Sequence, residues 1–376
     1  MNVALFFTYD VSLSEWDRLK IIDREMKFYT DITRDDSDIS FTLVTYGNQD
    51  DLKYENKYKN IRIIPLYSLK KRPDNKYIRL IDSLFLPFRI KKYLNDVDIL
   101  KTNQLLGSWV PIVLKRILNK PLIIRTGYDL FSFSLRQKKN LFKLLFYYLL
   151  TQLAIITSSV YLVSSREDMN FLKKYFYWNN NNKLQIRQNW ISAEENSNFL
   201  DREKKSILTV GRLEKQKNLY NLITKFKNTD FSLDIVGEGS LRDSLVLHSN
   251  QSNVETNFLG IIDHNKLLNL YQHYKYFILN STYEGHPKAL IEAMSRGCIV
   301  IVNKSSNVQE IISNNVNGIL FDSKNENPID IIRNLNENNQ IALKISNEAS
   351  RFAFENYSID KLISIEITGY KSLLEN

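Results

Sequence analysis

The sequence predicts an α/β protein of two doubly wound, Rossmann-like domains, and three observations carry that expectation. The chain has 376 residues, more than one core of ordinary size organises. Short apolar runs alternate with helical patterns along nearly all of it, the rhythm of βαβ units whose parallel sheet is covered on both faces. That rhythm pauses in the polar stretch 189–205 and then restarts, which puts a domain boundary inside it.

Strands are expected first at 3–7, 40–44, 61–65, 99–101, 122–125 and 160–163. After the first of them, Thr8-Tyr9-Asp10-Val11-Ser12-Leu13-Ser14 reads as a loop and helix cap. The segment 141–156 is the longest apolar stretch, but it contains Lys143 and Gln152. It falls short of the roughly 20 residues that span a bilayer, so it reads as a buried or interfacial helix. Ser164-Ser165-Arg166-Glu167-Asp168 opens another helix, with serine as cap and acids in the first turn. Asn179 to Asn182 is a short polar loop. Past the boundary, strands are expected at 206–210, 232–236, 257–259, 276–279, 299–302 and 318–321. The amphipathic segment 359–374 reads as a terminal helix packing back on the first domain. The expected division is therefore 1–190, 191–358 and a terminal piece, 359–376.

Composition narrows the class. Charged residues at 25% and hydrophobic ones at 43% are those of a globular, soluble chain. The single cysteine, Cys298, lies in an apolar run and reads as a core residue in a reducing compartment. The four histidines, His248, His264, His273 and His286, lack metal-ligand spacing, so no metal site is expected. Met1 to Phe7 forms a short strand pattern without a basic leader or cleavage site, and a cytoplasmic location follows. The net charge of +9 favours anionic partners. No nucleic-acid-binding signature accompanies it, so nucleic acid is not expected as a partner.

The most informative stretch is Tyr283-Glu284-Gly285-His286-Pro287-Lys288-Ala289-Leu290-Ile291-Glu292-Ala293-Met294. It follows a strand and opens an apolar-periodic helix in which Pro287 suits the first position. The free amides of Lys288, Ala289 and Leu290 then face the loop with the positive end of the helix dipole, an arrangement that attracts phosphate. Glu284 and Glu292 flank that anion site. Two carboxylates beside it fit a ligand with both phosphate and hydroxyls, such as a nucleotide sugar. Taken alone, Glu284 also fits a capping acid and Glu292 a solvated helix position.

A second motif lies upstream. The strand 207–210 runs into Gly211-Arg212-Leu213-Glu214-Lys215-Gln216-Lys217-Asn218, with a helix expected near Leu219. Gly211 permits a tight turn, while Arg212 and Lys217 offer a planar fork and a compact ammonium. Both converge on a diphosphate in this reading. Gly237-Glu238-Gly239 hints at dinucleotide binding, but the third glycine of that fingerprint is replaced by Arg242. It reads instead as a tight turn lining the ligand crevice.

Together these residues resemble the nucleotide-sugar glycosyltransferases of family 4, which have the two-Rossmann GT-B fold with an interdomain cleft. Glu284 and Glu292 match that family's E-x7-E motif, and Val210-Gly211-Arg212-Leu213 with Lys217-Asn218 its phosphate-binding loop. Further matches are Val236-Gly237-Glu238-Gly239, Phe258-Leu259-Gly260, Asn303 to Glu310 and Asn317-Gly318. In the first half the likeness is looser: Trp16-Asp17, Thr45-Tyr46-Gly47, Arg125-Thr126-Gly127-Tyr128 and Asn189-Trp190-Ile191 look like those of polysaccharide-assembly members.

The resemblance implies a hexosyltransferase-type enzyme acting in polysaccharide, lipopolysaccharide or capsule synthesis. Arg212 and Lys217 would neutralise the diphosphate leaving group, Glu284 would accept from donor-sugar hydroxyls, and Glu292 would hold the ribose. Backbone at Gly260 and Ile261 would meet the base, and the helix tip at Pro287, Lys288, Ala289 and Leu290 the phosphates. It also implies retention of anomeric configuration, no metal and no cofactor, the nucleotide sugar being a substrate. The acceptor would be a glycan or lipid-linked glycan.

Two departures stand out. The glycine-rich loop many relatives carry after the first strand is here Thr8 to Ser14, and a histidine often found in the first domain is replaced within Arg125-Thr126-Gly127-Tyr128. Arg125, with Tyr128 nearby, either touches the acceptor or caps a strand. His286 either approaches the donor sugar or is a spacer. Two basic-aromatic patches, Lys70 to Lys92 around Leu84-Phe85-Leu86-Pro87-Phe88, and Arg136, Lys138, Lys139, Phe142, Lys143, Phe146, Tyr147, Tyr148, suit an anionic membrane surface. They fit core helices with solvated basic faces equally well. An epimerase on the same fold and a noncatalytic glycan- or nucleotide-binding partner are the rival functions.

Overall fold

The computed structural model describes residues 1–137, 139–178, 181–192, 199–305 and 307–375. Lys138, Asn179, Asn180, Ser306 and the segment 193–198 of the expected boundary lie outside the described residues. The chain forms two compact units, Met1–Gln188 with Ile363–Asn376, and Asn189–Leu362.

The first unit is a parallel sheet of β1 (Asn2–Phe6), β2 (Ser40–Thr45), β3 (Ile61–Pro65), β4 (Ile99–Thr102), β5 (Leu122–Arg125), β6 (Val160–Val163) and β7 (Leu184–Ile186). Their order is β3-β2-β1-β4-β5-β6-β7, reversing direction between β1 and β4. Successive side chains alternate faces. Ala4, Phe6, Leu100, Ile124, Tyr161 and Val163 join one core with Val110, Leu114, Leu150, Ala154 and Leu172. Those last five come from the helices Trp109–Leu118, Leu141–Thr157 and Arg166–Tyr175. Polar caps start the helices as the sequence suggests: Ser12 accepts from the Glu15 amide and Ser165 from the Asp168 amide.

The opposite sheet face carries Lys101, in register with Leu5 and Ile123. The terminal helix Ile359–Leu374 brings Glu366 and Tyr370 to it. Lys101 pairs with Glu366 and donates to the Tyr370 hydroxyl at 2.7 Å, while Arg187 Nε lies 3.1 Å from Glu366 Oε2. Lys101 and Glu366 are only 1% and 2% exposed.

The second unit holds β8 (Ser206–Val210), β9 (Ser232–Val236), β10 (Thr256–Gly260), β11 (Tyr276–Leu279), β12 (Ile299–Asn303) and β13 (Ile319–Phe321). They are ordered β10-β9-β8-β11-β12-β13. Leu208, Phe277, Leu279, Val300 and Val302 face one core with Leu290, Met294 and Ala349. Ile207, Ile235, Ile278, Ile299 and Ile301 face the other with Leu222, Leu245 and Ile329. Both faces being covered explains the unbroken apolar runs. The order reverses between β8 and β11, and ligands of such sheets bind outside the carboxyl ends at that switch point.

Three expectations need correction. β7 escaped the sequence reading because it is a three-residue edge strand with Gln185 at its centre. Asn189 and Trp190 belong to the second unit, since the Asn189 side chain donates to the His286 carbonyl and the Lys288 ammonium lies 5.4 Å over the Trp190 ring. The terminal helix changes unit at Ile363 rather than at its start, because the Ile359 amide donates to the Ile191 carbonyl at 3.0 Å.

Candidate functional site

Two loops meet at the switch point of the second unit. One leaves β8 through Gly211 and Arg212 to Lys217 and Asn218; the other leaves β11 through Asn280 to Pro287. The Thr282 amide donates to the Gln216 carbonyl at 2.9 Å, and Asn280 Nδ2 donates to the Asn218 carbonyl and to Asn221 Oδ1, each at 3.1 Å. These bonds set Lys217 against Glu284, Nζ to Oε1 2.5 Å, with Gln216 Nε2 donating to the other carboxylate oxygen at 3.3 Å. Glu284 is buried, so it is the counter-charge of Lys217 and not a solvated capping acid.

Gly211 leaves room for the Lys217 side chain: a Cβ on it would lie 2.9 Å from Lys217 Cε and push the ammonium end aside. Arg212 is exposed and makes no ion pair among the described residues. Thr209, Gly211, Lys217, Leu279, Asn280 and Ser281 line a small cleft between the two strand ends.

The second loop is held from behind by three buried asparagines. Asn303 Nδ2 donates to the Ser281 carbonyl at 3.0 Å, Asn307 Nδ2 to that of Gly285 at 3.2 Å, and Asn189 Nδ2 to that of His286 at 2.6 Å. The buried His286 ring packs edge-on against Tyr357, centroids 5.0 Å apart. The helix Lys288–Ser295 starts one residue later than expected, with Pro287 as its cap. Its first turn is tight: the Leu290 amide donates to the Pro287 carbonyl at 3.1 Å and so does not face the loop as the sequence reading had it. The Leu290 side chain is buried in the core, and Ala289 is half-buried.

Glu292 is buried too, which removes the reading of a solvated position. His264 Nε2 lies 3.1 Å from its Oε1, and the Tyr271 hydroxyl donates to its Oε2 at 3.5 Å. Both partners come from the helix His264–His273, one strand over, beyond Gly260 and Ile261 at the end of β10. Gly260 has φ +65°, and its carbonyl accepts from the Gly237 amide at 2.8 Å.

Gly237 and Gly239 have a firmer role than crevice lining. A Cβ on them would fall 2.0 Å from the Gly211 carbonyl oxygen and 2.5 Å from that of Leu213. They let the loop after β9 brace the loop that carries Lys217.

Sequence reasoning missed Gln216, His264 and Tyr271 as partners of the two acids. No spacing rule finds them, because they arrive from other βα units than the acids: Gln216 from the loop after β8, His264 and Tyr271 from the helix after β10.

Arg125 and Tyr128 lie in the first unit, at the carboxyl end of β5. The Arg125 amide donates to Thr102 Oγ1 at 3.3 Å, and the Tyr128 ring rests 4.5 Å from that of Phe133. Beside them Asp129 caps the helix Leu130–Arg136 through the Ser132 amide, while its Oδ2 has no partner among the described residues. Burial pushes the Asp129 carboxyl up to about 7 and that of Asp168 up to about 6. Among the described residues, no three His, Cys, Asp or Glu side chains gather as a metal site.

Comparison with known proteins follows the same division. Residues 191–352 match the family model of glycosyl transferases group 1. An uncharacterized glycosyltransferase of Methanocaldococcus jannaschii is 31% identical over 198 residues, 49% of this chain and 50% of that one. The N-acetylgalactosamine-N,N'-diacetylbacillosaminyl-diphospho-undecaprenol 4-alpha-N-acetylgalactosaminyltransferase of Campylobacter jejuni is 33% identical over 126 residues, 33% of this chain and 34% of its own. The chain thus spans half or less of the length of these relatives. Among solved structures, Anabaena HepE in complex with UDP and glucose aligns over 99% of this chain and 100% of its own, with a TM-score of 0.75 at 15% identity. That likeness concerns the fold.

Proposed function

We propose, from the premise that residues 191–352 make this chain a group 1 glycosyl transferase of GT-B fold, that it moves a sugar from a nucleotide-sugar donor to a glycan acceptor. The observation that carries the reading is the pair of half-buried Lys217 with buried Glu284 at the β8/β11 switch point, with buried Glu292 one motif length beyond it. Breaking a glycosyl–phosphate bond builds negative charge on the leaving oxygen, and fixed donors aimed at that charge lower the barrier. Arg212 and Lys217 supply them, joined by the tip of the helix Lys288–Ser295. Until the donor arrives, Glu284 holds the ammonium in place. Once diphosphate takes over Lys217, Glu284 is released to accept from the sugar hydroxyls. Glu292, oriented by His264 and Tyr271, holds the ribose, and backbone at Gly260 and Ile261 meets the base.

The finer reading has three parts. Cations and a helix end already balance the diphosphate, so the transfer runs without metal or cofactor. It retains configuration, the acceptor entering on the face the leaving group vacates and losing its proton to a phosphate oxygen. The acceptor is a lipid-linked glycan, a reading supported by the diphospho-undecaprenol in the name of the Campylobacter relative, and the transfer belongs to cell-surface polysaccharide synthesis in the cytoplasm.

The test is release of nucleoside diphosphate from a panel of nucleotide sugars, UDP-sugars first, with and without glycan acceptors. Lys217→Ala and Glu284→Ala are each expected to slow release about hundredfold or more. Conversion of the nucleotide sugar to its epimer with no diphosphate released would instead mark an epimerase, and no donor-dependent activity at all would mark a binding partner.

A further inference from the structure

The first unit leaves a broad apolar surface uncovered. The helix Leu141–Thr157 buries Leu150, Thr151, Ala154 and Ile155 against the core, an ordinary inner stripe. Its outer side carries Leu141 (80% exposed), Phe142 (86% exposed), Leu145, Phe146, Leu149 and Leu153, where a water-facing helix carries charges. A second stretch, residues 76–93, exposes Tyr77, Ile78, Ile81, Phe85 and Phe88. Trp109 joins the two: its indole donates to Ser83 Oγ at 3.1 Å, and its ring centroid lies 6.5 Å from that of Phe146. The two stretches therefore pack against the same buried tryptophan and are neighbours, and exposed apolar residues grouped in this way mark an interaction site.

Charge tells what covers it. The sequence from 130 to 157 contains no acid, and between 76 and 93 the single acid is Asp82. Asp82 is buried and neutralised by Lys70 at 2.5 Å and Arg89 at 2.7 Å. Exposed Lys76, Lys91, Lys92, Lys139 and Lys143 remain around the apolar residues. The ammonium groups of Lys76 and Lys92 lie over the rings of Tyr77 and Tyr93, 5.1 and 4.9 Å from their centroids, which puts fixed positive charge at the edge of the apolar residues. Lysine is depleted in interfaces between proteins but favoured against anionic headgroups.

We propose that this face lies flat on an anionic lipid bilayer, its leucine and phenylalanine side chains in the headgroup–acyl boundary and its lysines on the phosphates. No helix among the described residues is long and apolar enough to cross a membrane. The site differs from the donor motif in residues and in unit, and does not depend on the proposed chemistry.

Co-sedimentation of the full chain with vesicles tests it. Binding is expected to equal parts of phosphatidylglycerol and phosphatidylcholine at low salt, to weaken at high salt, and to be absent on phosphatidylcholine alone. The exposed triple variant Leu141→Glu, Phe142→Glu, Leu145→Glu is expected to keep its melting temperature and lose at least about a hundredfold in binding. Lys91→Gln and Lys92→Gln are each expected to cost about fivefold. The proposal is overturned by absence of binding to anionic vesicles at low salt, or by undiminished binding of the triple variant. A concentration-dependent dimer that the triple variant abolishes would equally overturn it. Vesicle binding without nucleotide-sugar turnover would leave this inference standing and remove the other.

Discussion

Asp129 shows what a single buried carboxyl does to the pH response. Its pKa is raised from 3.8 to about 7, chiefly by burial. A carboxyl raised in the fold is bound more tightly by its proton there than in the unfolded chain. Its contribution is thus complete below about pH 4 and lost as pH rises through about 7, an effect of the order of 4 kcal/mol. Asparagine caps helices as well as aspartate, so Asp129→Asn is expected to keep the helix and flatten the response. Urea unfolding at about pH 5 and about pH 8 checks it; an unchanged pH difference in the variant would exonerate Asp129. At the same scale, the seven-residue gap between Glu284 and Glu292 was legible in the sequence, and so were Arg212 and Lys217 as cations. That Lys217 is already paired with Glu284 was not, because a loop cation looks the same whether solvated or buried.

The terminal helix is the element with the most at stake. Its amphipathic pattern was readable; its buried charge was not, because Lys101 and Glu366 stand 265 positions apart. The lysine within β4 passes for a polar strand position until the helix is placed over it. Burial lowers the Lys101 pKa, while Lys101 and Arg187 hold Glu366 down to about 2. That carboxylate contributes stability above about 4.5 that disappears as pH falls through about 2. Glu366→Ala strands a buried ammonium and is expected to cost roughly 3–5 kcal/mol. Lys101→Met with Glu366→Leu and Arg187→Met removes all three charges and is expected to recover most of it. Chemical denaturation of the two variants decides the matter: equal losses would mean packing, and not charge, fixes this helix.

At the scale of the whole molecule, the two-sheet plan was legible because both sheets are covered on both faces, so nearly every strand announces itself as an apolar run. What failed were short or polar pieces: β7, and the handover of residues 189–190 and 359–362, whose allegiance is set by tertiary contacts such as Asn189 to His286 and Lys288 over Trp190. Two units with separate cores are expected to answer a ligand separately. A nucleotide sugar at about 100 times its Kd adds about 2.7 kcal/mol to the state that binds it. Calorimetry of the intact chain should then show one transition rising and one staying; a uniform rise would mean the units unfold together. The threading of the terminal helix also sets an order of assembly during synthesis. Residues 189–362 are contiguous and can close as soon as they emerge, whereas Lys101 waits for Glu366. At ribosomal speeds of about 5–20 residues per second, the 265 positions between them take roughly 13 to 53 s. The half of the protein made first is thus the half finished last, and in the interval its unclosed sheet is the natural client of a chaperone.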